Sequence, residues 1–316
     1  MLTLSIHSTL SVFCLIITGY ILARTKLIKS HFPEIFSEYV FYVALPVEIF
    51  LATSAADDAN TPEISSYLQS YALSILLLWI LIVLVYKSVF NTKISEIGFN
   101  FIAIGQTNTA FLAAPIFILL FGNSSLVAPI IFFQSAILTS LAILTIEAPS
   151  NKYVFQLPSL RNIISTSIKN PLILSALLGF ILSKVSPSFA QNETFITHTL
   201  QMIANTAAPI ALLALGASCY GDQVQKINRK ETYEIISGIF IKSVAHPALS
   251  FFIGKYIFNL STPLLLAVVL ISAMPSPKNT FILAKTYNFS AQKFNIILIG
   301  TTAISFFSIN LIAFIL

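Results

Sequence analysis

Two polar stretches interrupt runs of residues that are otherwise apolar. Gly105 to Pro115 reads GQTNTAFLAAP and places Gln106, Thr107, Asn108 and Thr109 ahead of Pro115. Ser272 to Thr280 reads SAMPSPKNT and clusters Ser272, Ser276, Lys278, Asn279 and Thr280 around Pro275 and Pro277. Proline has no N–H and crowds the carbonyl one turn back, so it leaves backbone groups unpaired. In hydrocarbon each such group costs several kcal/mol unless protein or water meets it. If both stretches are breaks in helices, the half-helices that follow present free N–H groups and a positive dipole end, which suits an anion. Asn108, Thr109, Ser276, Lys278, Asn279 and Thr280 are therefore the candidate binding residues. Lys278 stands out, because an ammonium at the bilayer centre costs roughly 2.5–3.5 kcal/mol. The substrate anion, Glu48 or solvent in an open cavity could each compensate it.

The elements that must position these residues are membrane helices. Of the 316 residues 56% are hydrophobic and only 9% charged, where a soluble domain carries about 25% charged residues. A helical span takes about 20 apolar residues, and that ruler predicts ten: 4–22, 35–53, 67–90, 99–121, 126–146, 171–185, 195–220, 232–258, 263–287 and 294–316. The first lacks a preceding basic residue and exceeds a signal-peptide core, so it is expected to be retained. The longest connector, 147–170, holds 24 residues, so function is expected in the bundle.

Alternation of ten spans puts 13 of the 17 basic residues in one set of loops, with Lys184 and Lys255 opposite and Lys242 and Lys278 inside spans. Positive residues mark the cytoplasmic side, so both termini are expected outside, with Asp57, Asp58, Glu63 and Glu193 on the outer face. The net charge of +5 follows from this asymmetry and implies no nucleic-acid partner. Cys14 and Cys219 are expected as free thiols.

Span two carries ALP with Pro46 and span seven AAP with Pro209, 163 positions apart, while Pro115 and Pro277 are 162 apart. Near-equal offsets suggest a duplication, and halves of five spans must enter the membrane from opposite sides. The predicted fold class is thus an all-α polytopic membrane protein, ten helices in an inverted 5+5 repeat (1–146 and 171–316) with helices four and nine broken and crossing. Secondary transporters use this architecture. The five prolines Pro46, Pro115, Pro209, Pro275 and Pro277 are expected to interrupt their helices.

Asn108 and Thr109 followed by Pro115, the AMP of Ala273–Pro275 leading to Phe281 and to AKTYN at Ala284–Asn288, and the ALP of span two resemble the auxin efflux carrier family. APIALLALGAS, Ala208–Ser218, resembles its bacterial members, some of which are named malonate or malate permeases. The resemblance covers the whole chain and implies a carrier of small organic anions, mono- or dicarboxylates. It implies a site where spans four and nine cross, with Asn108 on the substrate carboxylate. Spans one, two, six and seven would be a scaffold, often dimeric, and spans three to five and eight to ten a mobile unit that slides like an elevator. The distantly similar bile acid symporters add sodium ions at this crossover.

Lys278 departs from that pattern, where a small polar residue is expected. Its ammonium is expected to take the electrostatic role of sodium, making transport sodium-independent with no metal and no cofactor. Sodium- or proton-coupled symport remains the rival, with Glu48 and His246 as candidate proton or charge partners; Lys242 and His246 lie one turn apart ahead of Pro247. With the cell interior negative, an expelled monovalent anion gains about 2.3 kcal/mol per 100 mV, which favours export or facilitated diffusion. No HExxH, GxSG or pair of intramembrane aspartates supports an enzyme, and a carboxylate receptor would have only the short central connector as output. The expected setting is a multi-pass cell-membrane protein of bacterial inner-membrane type, a homodimer whose partners are a small carboxylate and the lipid bilayer.

Overall fold

The computed structural model describes residues 2–55, 62–147, 170–186, 189, 192, 194–220, 227–278, 280, 284, 287 and 289–315. Asn279, Phe281, Asp57, Asp58, Glu193 and nearly all of the central connector lie outside the described residues. What is described is all-helical, without a strand. Six helices are long and apolar enough to cross a membrane: α2 (Phe32–Ser54), α3 (Glu63–Val89), α6 (Ala128–Ile146), α8 (Phe195–Ser218), α9 (Arg229–Ile257) and α11, whose apolar part is Gln292–Ile312 within Ala291–Ile315. The others are α1 (Leu2–Arg24), α4 (Ile94–Ala103), α5 (Thr109–Phe121), α7 (Pro171–Val185) and α10 (Thr262–Ala273). This is a multi-pass membrane protein.

The prolines act locally in two ways. Pro46, Pro115 and Pro247 each stand two residues past a π-helical turn, at Val40–Ala44, Thr109–Ala113 and Ile241–Ala245. The wider turn, with Leu45 N–H bonded back to Val40 and His246 N–H to Ile241, relieves the crowding that a proline ring imposes on the preceding carbonyl. Pro275 and Pro277 lie instead in non-helical chain that follows Met274, itself extended at φ −63° and ψ 148°. Pro209 is the third residue after α8 is interrupted at Asn205 and Thr206. The two proline pairs with matching offsets therefore sit in unlike settings, Pro115 within helix and Pro277 within a break.

The chain forms two compact units. One is drawn from Met1–Thr61, Thr109–Phe132 and Ser165–Gly221, the other from Pro62–Asn108, Phe133–Ile164 and Asp222–Leu316. In the first, α1 meets α8 at backbone distance: a Cβ on Gly216 would stand 1.8 Å from the Ile16 carbonyl oxygen, and one on Gly19 2.2 Å from that of Leu213. Small residues let membrane helices approach this closely where no hydrophobic force between them can help. Tyr39 and Thr206 share a hydroxyl hydrogen bond of 2.8 Å. Glu48, buried in α2, accepts from the Ser124 N–H at 3.2 Å and from the Ser124 hydroxyl. Its carboxylate thereby caps the turn after α5, where Gly122 takes the left-handed φ of 83°. A cavity of about 300 Å³ opens beside it, lined by Glu48, Ala52, Asn123, Ser125 and Gln201.

Candidate functional site

The second unit brings the two polar breaks together. α4 ends at Ala103 and α10 at Ala273, both inside apolar chain, so each leaves carbonyls without intrahelical partners. The two breaks satisfy one another. The Asn108 N–H donates to the Pro275 carbonyl at 2.8 Å, and the Ser276 hydroxyl donates to the Ala103 carbonyl at 2.5 Å. The Ser276 N–H donates in turn to the Thr301 hydroxyl of α11 at 3.2 Å. Thr280 turns back on the chain, its hydroxyl donating to the Pro277 carbonyl at 2.6 Å. Backbone that no longer follows a helix is tolerated at membrane depth because protein groups meet it.

A second layer of side chains holds the span-four break. Gln134 of α6 accepts from the Thr107 N–H at 2.7 Å and donates to the Thr107 hydroxyl at 3.0 Å. Tyr71 of α3 places its hydroxyl 3.4 Å from the same Thr107 oxygen. Gln106 donates to Thr139 at 3.1 Å. Gly105 lies flat against Trp79, where a Cβ would stand 2.3 Å from the indole nitrogen, and Trp79 stacks on Phe101 at 4.2 Å. Asn108, Gln106, Thr107, Ser276 and Thr280 are all buried.

Of the residues predicted for binding, Asn108, Ser276 and Thr280 therefore lie where the two breaks meet in the second unit, with Lys278 half-buried in the same stretch. Thr109, half-buried, opens α5 in the first unit. Glu48 belongs to the first unit too, and its hydrogen bonds run to Ser124. The side-chain amide of Asn100 of α4, fully buried, has neither its oxygen nor its nitrogen hydrogen bonded among the described residues. His246 is also fully buried, and its Nδ1 lies 3.2 Å from Lys242 Nζ.

Sequence reasoning missed Gln134, Tyr71 and an ion cluster. Lys293, expected in a cytoplasmic loop, is 2% exposed and bonds to Glu234 of α9 at 2.5 Å and to Glu96 of α4 at 2.7 Å. The Tyr86 hydroxyl donates to the Glu234 carbonyl at 2.6 Å. Glu96 and Lys293 each fall in the first turn of a helix that begins an apolar run. A lone charge at that position is the one signal that could have marked them.

An all-helical, apolar chain with polar breaks meeting inside one unit has the form of a membrane transport protein. Comparison with known proteins agrees: the family model for membrane transport proteins matches residues 4–313. The chain belongs to that family, the auxin efflux carrier family of the sequence resemblance. It is similar to an uncharacterized transporter of Methanocaldococcus jannaschii, 24% identical over 313 residues that cover 97% of each chain.

Proposed function

We propose that this protein is a secondary carrier of small organic anions, mono- or dicarboxylates, bound at the crossing of spans four and nine. The observation that carries this reading is the reciprocal seam at the crossing, where Asn108 N–H meets the Pro275 carbonyl and Ser276 the Ala103 carbonyl. It keeps hydroxyl, amide and lysine side chains together at two breaks in apolar helices. Asn100 supports it, since a buried amide with no internal partner costs about 1–3 kcal/mol and a ligand or water that bonds it recovers that cost. Lys278 supplies positive charge in the same break. On this reading its ammonium substitutes for sodium, and transport needs no metal ion.

The wider frame of the proposal is ten spans in an inverted repeat with both termini outside, in a bacterial-type cell membrane. On this reading spans one, two, six and seven serve as a dimeric frame, and spans three to five and eight to ten form the mobile part of an elevator-like carrier.

Purified full-length protein in liposomes tests this directly. Labelled malonate and acetate are offered in counterflow, with sodium or with choline as the cation. Saturable flux of at least one of them, equal in the two salts and reduced at least tenfold by Lys278→Ala, is expected. Flux that requires sodium, or a variant as active as wild type, overturns the charge assignment; no saturable flux of either anion refutes the carboxylate-carrier reading.

A further inference from the structure

In the middle of α9, Lys242 and His246 lie against each other with no exposed surface. Lys242 Nζ is 3.2 Å from His246 Nδ1, and no carboxylate among the described residues pairs with either. His246 Nε2 is buried without a hydrogen-bond partner. The elements packed around them are as poor in charge. On α3 the titratable groups there are the phenols of Tyr67 and Tyr71, both fully buried. α10 has no titratable side chain. On α11 the one candidate is Lys293, already held by Glu96 and Glu234.

We propose that Lys242 and His246 together form a proton-carrying site that couples movement of the anion to movement of a proton. The hydrogen bond between them needs one proton and one lone pair at the contact, so it can form with the pair either neutral or carrying one positive charge. A second added proton would set two like charges 3.2 Å apart in a site shielded from water, which is strongly disfavoured. The pair is thus a one-proton switch, and its two ionisable groups titrate as a unit.

The switch is wired to the crossing. The His246 ring lies 5.9 Å from the Tyr71 ring, and the Tyr71 hydroxyl reaches Thr107, the neighbour of Asn108. One turn further along α9, Ser250 shares a 2.5 Å hydrogen bond with Ser272, just before the α10 break. A buried cation without a counter-anion is unfavourable, and a carboxylate arriving at the crossing supplies one. Anion binding then strengthens proton binding, and by linkage the proton strengthens anion binding equally. The proton joins the pair from the aqueous side on which the anion loads and leaves with it on the other. This coupling rests on the carrier reading above; the one-proton switch itself does not.

The test therefore has one arm that needs no substrate. The full chain is labelled with 15N at its histidine rings, and His246 is assigned by comparison with His246→Gln. A titration in lipid nanodiscs is run for wild type and for Lys242→Met. We expect a His246 signal that changes protonation state between pH 4 and 10, with a midpoint that moves by more than one pH unit in Lys242→Met. A His246 signal that does not titrate, or titrates alike in both proteins, overturns the switch. In the second arm, liposomes loaded with a pH-sensitive dye receive a malonate or acetate gradient. Protons that move with the anion in wild type, and a coupled proton flux at least tenfold lower in Lys242→Met and His246→Gln, are expected. Anion flux with no proton flux in wild type overturns the coupling, and a total lack of anion flux refutes the carrier reading while leaving the first arm to decide the switch.

Discussion

Replacing Lys293 with methionine removes the ammonium that Glu96 and Glu234 share at 2.7 and 2.5 Å. At an effective dielectric constant of about 20, each contact is worth roughly 6–7 kcal/mol of gross Coulomb attraction. Most of that offsets the loss of hydration, so the net penalty for breaking a buried pair is about 3–5 kcal/mol. Glu96 remains 29% exposed and can rehydrate, whereas Glu234 at 5% cannot and keeps only the ammonium of Lys230, 3.8 Å away and itself 58% exposed. The cost should therefore fall near the lower end, about 3 kcal/mol, and reside chiefly at Glu234. At about 2–4 °C per kcal/mol, Lys293→Met should lower the midpoint of thermal unfolding in detergent by roughly 6–12 °C. Adding Glu234→Gln to Lys293→Met should restore at least half of the loss, because the stranded charge is then gone. A single variant within about 2 °C of wild type would show that the cluster does not hold α4, α9 and α11 together. A double variant less stable than the single would show that the stranded carboxylate is not the source of the penalty.

Further outcomes follow from the same geometry. Asn100→Leu replaces a buried amide that lacks internal partners, so it should raise thermal stability by about 1–3 kcal/mol while reducing anion flux; lower stability would show that the amide is satisfied. Ser276→Ala leaves the Ala103 carbonyl without its hydroxyl donor and should cost about 1–3 kcal/mol in thermal unfolding, with Ser276→Thr less damaging than alanine. Gly105→Ala drives a methyl group toward the indole of Trp79, the protein's one tryptophan. Its fluorescence maximum should shift, and an unchanged spectrum with unchanged flux would show that the break has room to spare. Gly216→Leu should separate α1 from α8, since even a Cβ there would lie 1.8 Å from the Ile16 oxygen; wild-type thermal stability would contradict that close approach.

The legible part of this protein was its solvent and its interruptions. Long apolar runs declare membrane helices because a bilayer core admits little else. GQTNTAFLAAP and SAMPSPKNT declared breaks because polar clusters and prolines are expensive in such runs. The prolines misled in one respect: composition does not say whether a proline opens a helix or is absorbed by a π-helical turn, and Pro115 was absorbed where Pro277 was not. That choice depends on whether neighbouring chain supplies partners for the freed groups, which is a property of the fold.

What the sequence determined by itself is an all-helical, multi-pass membrane protein of a transporter family, with polar residues gathered at two places along the chain. Only the tertiary structure decided what those residues meet. The Ser276 hydroxyl finds the Ala103 carbonyl across 173 positions, Lys293 finds Glu96 across 197, and Glu48 finds Ser124 across 76. Hydropathy is a local sum over consecutive residues, so it reports the burial of a segment but not the identity of its neighbours. A hydrogen bond or an ion pair acts over about 3 Å, and only the folded chain brings groups so far apart in sequence within that reach.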